Sequence, residues 1–107
     1  MRLNEFQELS KRTLPKGELK DKLANYGMGI AGEAAEVTDE LKKVVFHGHD
    51  LSVDKVKKEL GDNLHYIAGI ATFLGLTLEE IAYENIQKLK ERYPTGFSEE
   101  ASRNRVI

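Results

Sequence analysis

The sequence contains no cysteine. That excludes disulfides, thiolate zinc sites and cysteine nucleophiles, and it fits a reducing compartment. Proline occurs only at Pro15 and Pro94, so few positions forbid a helix. No apolar run approaches the ~20 residues of a membrane span. The opening stretch MRLNEFQELS has no signal-peptide core, so a cytoplasmic location is expected. Charge of one sign is also lacking: 16 Lys and Arg against 18 Asp and Glu leave −2. Bulk electrostatics therefore gives no reason to expect a nucleic-acid polymer or a membrane as partner. No stretch alternates convincingly at period two, so strands are not expected. Internal repeats of solenoid length and low-complexity segments are absent as well.

What is present is helical period. The 107 residues, 40% hydrophobic and 32% charged, suit a single domain, 1–107, with one core. Leu3, Phe6 and Leu9 predict a short first helix ending before Pro15. A second helix is predicted from about Glu18 to Phe46, with the stripe Leu19, Leu23, Tyr26, Ile30, Ala34, Val37, Leu41 and Val44. The loop HGHDLS follows, with Ser52 as N-cap. A third helix is predicted from Val53 to Leu74, closed by Gly75. TLEE (Thr77 to Glu80) is a capping box, and it opens a fourth helix that Pro94 ends. The tail, residues 98–107, shows no period; it is expected to be either mobile or folded over a site. The expected class is all-α, a bundle of about four helices. Leu64 to Leu76 is apolar nearly all round, which predicts a central helix covered by neighbours or by another subunit.

The second and third helices each carry a pair of acids three residues apart: Glu33 with Glu36, and Glu59 with Asp62. Residues three apart share a helix face. Taking ~100° per residue, the first pair lies about 80–140° to one side of its apolar stripe, and the second about 100–160° to the same rotational side of its own. Helices joined by a short loop run antiparallel. Equal offsets then put both pairs on one side of the hairpin. Heights agree too: Glu33 with Asp62, and Glu36 with Glu59, are each equidistant from the point between His47 and Gly48. Glu40 lies one turn beyond Glu36.

Clustered carboxylates repel, so the set calls for a cation or for protons. Its ligands are all hard oxygens, which favours Mg²⁺ or Mn²⁺ over zinc. Mg²⁺ commonly completes its shell with phosphate, so a phosphate-bearing substrate is implied. On the fourth helix Asn85, Lys88 and Arg92 form one polar stripe suited to phosphate oxygens. HGHD (His47 to Asp50) is expected to be turn chemistry rather than a metal site. His65, Tyr66 and Phe73 are expected in the core. Gly61 and Gly69 interrupt the third helix, with close helix approach as the expected reason.

These residues resemble the MazG-type nucleotide pyrophosphohydrolases of the all-α NTP pyrophosphatase superfamily. The family pattern is ExxE, a spacer, then ExxD; here it reads EAAE, Val37 to Lys58, and ELGD. The flanks GIAGEAAEVTDELKK and NIQKLKERYPTGF are also similar, so the resemblance runs from about Tyr26 to Phe97. Some members carry a further acid just before the first Glu, where this chain has Gly32. The resemblance implies a hydrolase acting on phosphoanhydride bonds. The nucleoside triphosphate, NTP or dNTP, would be cut between the α- and β-phosphates, leaving the monophosphate and pyrophosphate, a house-cleaning reaction on the nucleotide pool. It implies Mg²⁺, with Mn²⁺ substituting, on Glu33, Glu36, Glu59 and Asp62; substrate contacts from Asn85, Lys88 and Arg92; and a homo-oligomer, dimer or tetramer. Glu36 and Glu40 are the candidate general bases. Phosphoribosyl-ATP pyrophosphatases of histidine biosynthesis share the pattern, but the ending KLKERYPTGF fits MazG-type chains better. A di-iron carboxylate bundle would need ExxH twice, and a non-catalytic helical module would need none of these acids.

Overall fold

In the computed structural model, which describes residues 1–105, five α-helices follow one another. They are α1 Leu3–Ser10, α2 Leu19–His47, α3 Val53–Phe73, α4 Leu78–Arg92 and α5 Glu99–Arg103, with a 3₁₀ turn at Lys11–Thr13. Among the described residues there is no strand, and no helix is long and apolar enough to cross a membrane. Residues 106 and 107, part of the tail expected to be mobile or folded over a site, lie outside the described residues.

Local chemistry sets the helix ends. Gly48 takes the left-handed conformation at φ 72°, and the His49 N–H reaches back to the Lys43 carbonyl at 3.1 Å. That stops α2 and turns the chain. Ser52 Oγ accepts the Lys55 N–H at 3.2 Å and starts α3. Gly75 at φ +73° closes α3, with the Leu76 N–H on the Ala71 carbonyl at 2.8 Å. Thr77 and Glu80 cap one another reciprocally at 3.1 and 2.9 Å and open α4. α5 is the element the sequence pattern does not predict, because five residues are too few to show a period. Its signal is local: Ser98 Oγ accepts the Ala101 N–H at 3.0 Å, and Glu99 and Glu100 occupy the first turn.

α2 and α3 form the principal helix pair, an antiparallel hairpin. Its seam is fixed by two ring-on-glycine contacts. A Cβ on Gly69 would overlap the Tyr26 ring, and one on Gly29 would overlap the Tyr66 ring. Tyr26 is buried and also meets Phe73 edge-on at 5.3 Å and Tyr66 at 4.8 Å. Close approach thus explains Gly69, whereas nothing surrounds Gly61. His65 meets Ser10 Oγ through Nδ1 and the Tyr26 hydroxyl through Nε2 at 3.0 Å. It ties the end of α1 to the hairpin. The buried Gln7 of α1 bonds Thr72 and the Leu76 carbonyl and accepts the Leu78 N–H at 2.7 Å, locking the α3–α4 turn.

The apolar stripes do not supply the whole seam. Toward the loop Leu41 and Leu60 are exposed, while Glu33, Glu40 and Glu59 turn inward. Part of the apolar side there faces outward, while Val37, Val44 and Val56 are half-buried.

Candidate metal centre

The acids continue the register of the aromatic pairs. Glu33 and Glu36 follow Tyr26 and Gly29 by seven residues, and Glu59 and Asp62 precede Tyr66 and Gly69 by seven. Seven residues are close to two turns, so the face is kept to within about 20°. The acids therefore lie about two turns nearer the loop, on the same seam.

Burial divides the four. Glu59 is buried and Glu33 half-buried, while Glu36 and Asp62 are exposed. Glu33 Oε2 and Glu59 Oε2 are both buried with no hydrogen-bond partner. That is costly for a carboxylate unless a cation or a proton meets it. Burial pushes the Glu33 carboxyl above its ordinary range, and the negative charges of Glu36, Asp62 and Glu59 push it further. Glu59 is raised in the same way, by burial first and then by Glu40 and Glu36, against the opposing pull of Lys55. The two helices thus share one field of negative charge. No three carboxylate or imidazole groups among the described residues converge closely enough to hold a metal ion as they stand. Mutual repulsion favours that spread in the protein alone. The donor set nonetheless fits a hard divalent cation, since every candidate ligand is a carboxylate oxygen and each helix holds one buried and unmet.

Beside the acids opens a pocket of about 450 Å³, lined by Glu36, Asp39, Glu40, Lys43, Lys55 and Glu59. Lys55 crosses from α3 to Glu40 at 2.8 Å, and Lys43 pairs with Asp39 at 3.0 Å. In the sequence each lysine reads as an ordinary solvated helix charge. The signal was available: Glu40 and Lys55 are equidistant from the same point between His47 and Gly48 as the acid pairs are.

The other sequence candidates fall elsewhere. Asn85 and Lys88 line a shallow cavity of about 250 Å³ with Ile81 and Glu84. Arg92 lines a different one, with Pro94, Gly96 and Ser98 among its neighbours. Neither cavity contains any of the four acids. His65 is committed to Ser10 and Tyr26, which removes the histidine a di-iron site would need. His47 ends α2 and Gly48 makes the turn, so HGHD is a helix terminus. Tyr66 and Phe73 both pack against Tyr26.

Residues 21–97 match the family model of the MazG nucleotide pyrophosphohydrolase domain. The chain is also similar to the Gene 37 protein of Mycobacterium phage L5, 30% identical over 82 residues that cover 73% of this chain and 72% of that protein. No solved structure matches. The family match spans most of α2 together with all of α3 and α4, and so takes in both acid pairs and the α4 stripe.

Proposed function

The chain belongs to the MazG nucleotide pyrophosphohydrolase family, and we propose that it hydrolyses nucleoside triphosphates, NTP or dNTP, to the monophosphate and pyrophosphate. The observation that carries this reading is the pair of unmet buried oxygens, Glu33 Oε2 and Glu59 Oε2, one on each helix of the hairpin and within one field of negative charge. Glu33, Glu36, Glu59 and Asp62 would hold Mg²⁺, or Mn²⁺ in its place. When bound, such an ion neutralises phosphate charge and polarises the phosphoryl oxygens.

The chain's own residues then have distinct tasks. Glu36, exposed to the pocket, accepts the proton of the attacking water. The water oxygen bonds to the α-phosphorus as the α–β anhydride bond breaks, and pyrophosphate leaves with the electron pair. Glu40, the other candidate base, has its carboxylate engaged by Lys55, and Glu36 is preferred for that reason. Asn85, Lys88 and Arg92 of α4 offer an amide and two cations to phosphate oxygens. The stripe and the acids line separate cavities in the single chain, so in this reading they meet in a homo-oligomer, dimer or tetramer. Exposed Leu60, Leu74, Ile86 and Leu89 support such an assembly.

The test is a pyrophosphate-release screen over canonical and modified NTPs and dNTPs with Mg²⁺. Release of pyrophosphate with a matching monophosphate is expected. Release of orthophosphate alone, or turnover undiminished by chelator, would sink the reading.

A further inference from the structure

Among the described residues Lys55 has one ion-pair partner, Glu40, at 2.8 Å. The pair bridges the hairpin inside the pocket that Glu36 and Glu59 also line. Lys43 stands on a different footing. It is held by Asp39 at 3.0 Å and approaches Glu40 only to 4.0 Å, so it keeps a partner without Glu40. Lys55 does not. It already feels the negative charge of Glu59 and Glu36, and Glu59 Oε2 is an acceptor with no donor. A lysine ammonium is a compact charge with three donors on a flexible four-carbon stem, able to swing to whichever carboxylate is open. An ammonium seated on Glu36 or Glu59 would have to be displaced before a divalent cation could use those oxygens.

We propose that Glu40 is a positioning residue for the metal centre: by holding the Lys55 ammonium, it keeps that cation off Glu36 and Glu59 and leaves their oxygens open to a divalent ion. The inference rests on the reading of the acids as a metal centre. It gives the half-buried Glu40, whose side chain is 18% exposed against 57% for Lys55, the role of a fixed anchor for a mobile cation.

The experiment measures Mn²⁺ affinity of the full chain from the loss of the free-ion electron paramagnetic resonance signal, with circular dichroism confirming the helices. Glu40→Gln is expected to weaken Mn²⁺ binding about tenfold, the low end for partners that orient ligands. Lys55→Met alone is expected to stay within about twofold of the parent, and in the Glu40→Gln background to recover most of the loss. Glu40→Asp, which keeps the charge and shortens the reach, should show a smaller loss that Lys55→Met also removes. If Lys55→Met shifts affinity by the same factor with and without Glu40, the two charges act independently and the proposal fails. It fails equally if Glu40→Gln binds as the parent does, or if its loss is not recovered. Glu59→Gln separates the two levels: unchanged Mn²⁺ binding there overturns the metal centre itself, whereas loss there without coupling between Glu40 and Lys55 overturns the positioning role alone.

Discussion

The ring edge of Tyr26 of α2 abuts Gly69 of α3, so closely that a Cβ on the glycine would overlap Cδ2 and Cε2. Gly69 is buried at mid-helix, where glycine is the poorer helix former. Replacing it with alanine gains ~1 kcal/mol of helix propensity. The overlap forces the ring or the helices apart, at a cost of about 1–3 kcal/mol. Gly69→Ala is therefore expected to be destabilising, whereas Gly61→Ala, with nothing nearby, gains up to ~1 kcal/mol. Urea denaturation of the two variants decides it; equal shifts of the same sign would contradict the contact.

The same hairpin carries acids whose titration should appear in its stability. Glu33 and Glu59 both ionise above the ordinary glutamate value of 4.5. Between 4.5 and their raised values the folded protein binds more protons than the unfolded chain, so stability falls as pH rises through that window. Asp39 is shifted the other way by Lys43, and its contribution is lost only well into acid, below 3.8. The metal-free protein should thus melt at a lower temperature at neutral pH than at the acid end of the glutamate window. Mg²⁺ should remove the decline, and Glu33→Gln should flatten it. Melting curves with chelator and with Mg²⁺ test the sign; a midpoint that climbs steadily to neutral pH without metal would refute it.

Much of this arrangement is legible in the sequence because it is local or follows from a short loop. Ser52, Gly75 and the Thr77–Glu80 box cap their helices through side chains and backbone freedom that need no tertiary context. The turn at Gly48 fixes the register, which the contacts of Tyr26 with Gly69 and Gly29 with Tyr66 follow. What the sequence hides is which face meets which. Leu41 and Leu60 belong to the apolar stripes yet remain exposed, because an apolar face records that it needs cover without naming the cover. The Glu40–Lys55 bridge shows only once the hairpin register is applied to charges of both signs, and α5 escapes because one helical turn leaves no period.

Glu36 and Asp62 are exposed, so their charges can be removed without loss of packing. Glu36→Gln and Asp62→Asn are expected to lower pyrophosphate release at least about a hundredfold, the scale on which a general base or an essential ligand acts. Helical circular dichroism should be unchanged. Retention of most activity in either variant would remove the role given to that residue, retention in both would place the chemistry outside these acids, and no release from the parent itself would favour a helical module without catalysis.

The outward apolar face leads to the last expectation. A compact chain of this length has a radius of gyration near ~13 Å, but this one measures 16.8 Å. The cluster of buried apolar residues among those described is small: Ala68, Ala71 and Leu78, with Phe6 packed against it. Leu60, Ile86 and Leu89 are 53%, 50% and 38% exposed on α3 and α4, apolar surface that a partner would cover. A second copy covering α3 and α4 would bury it. Light scattering should give at least twice the mass of one chain, and Leu60→Asp or Ile86→Asp should lower that mass and the melting temperature together. Subunits carrying Asp62→Asn, mixed with subunits carrying Lys88→Ala and Arg92→Ala, should regain activity that neither has alone if acids and stripe come from different copies. A monomeric parent protein with full activity would overturn both the assembly and the shared site.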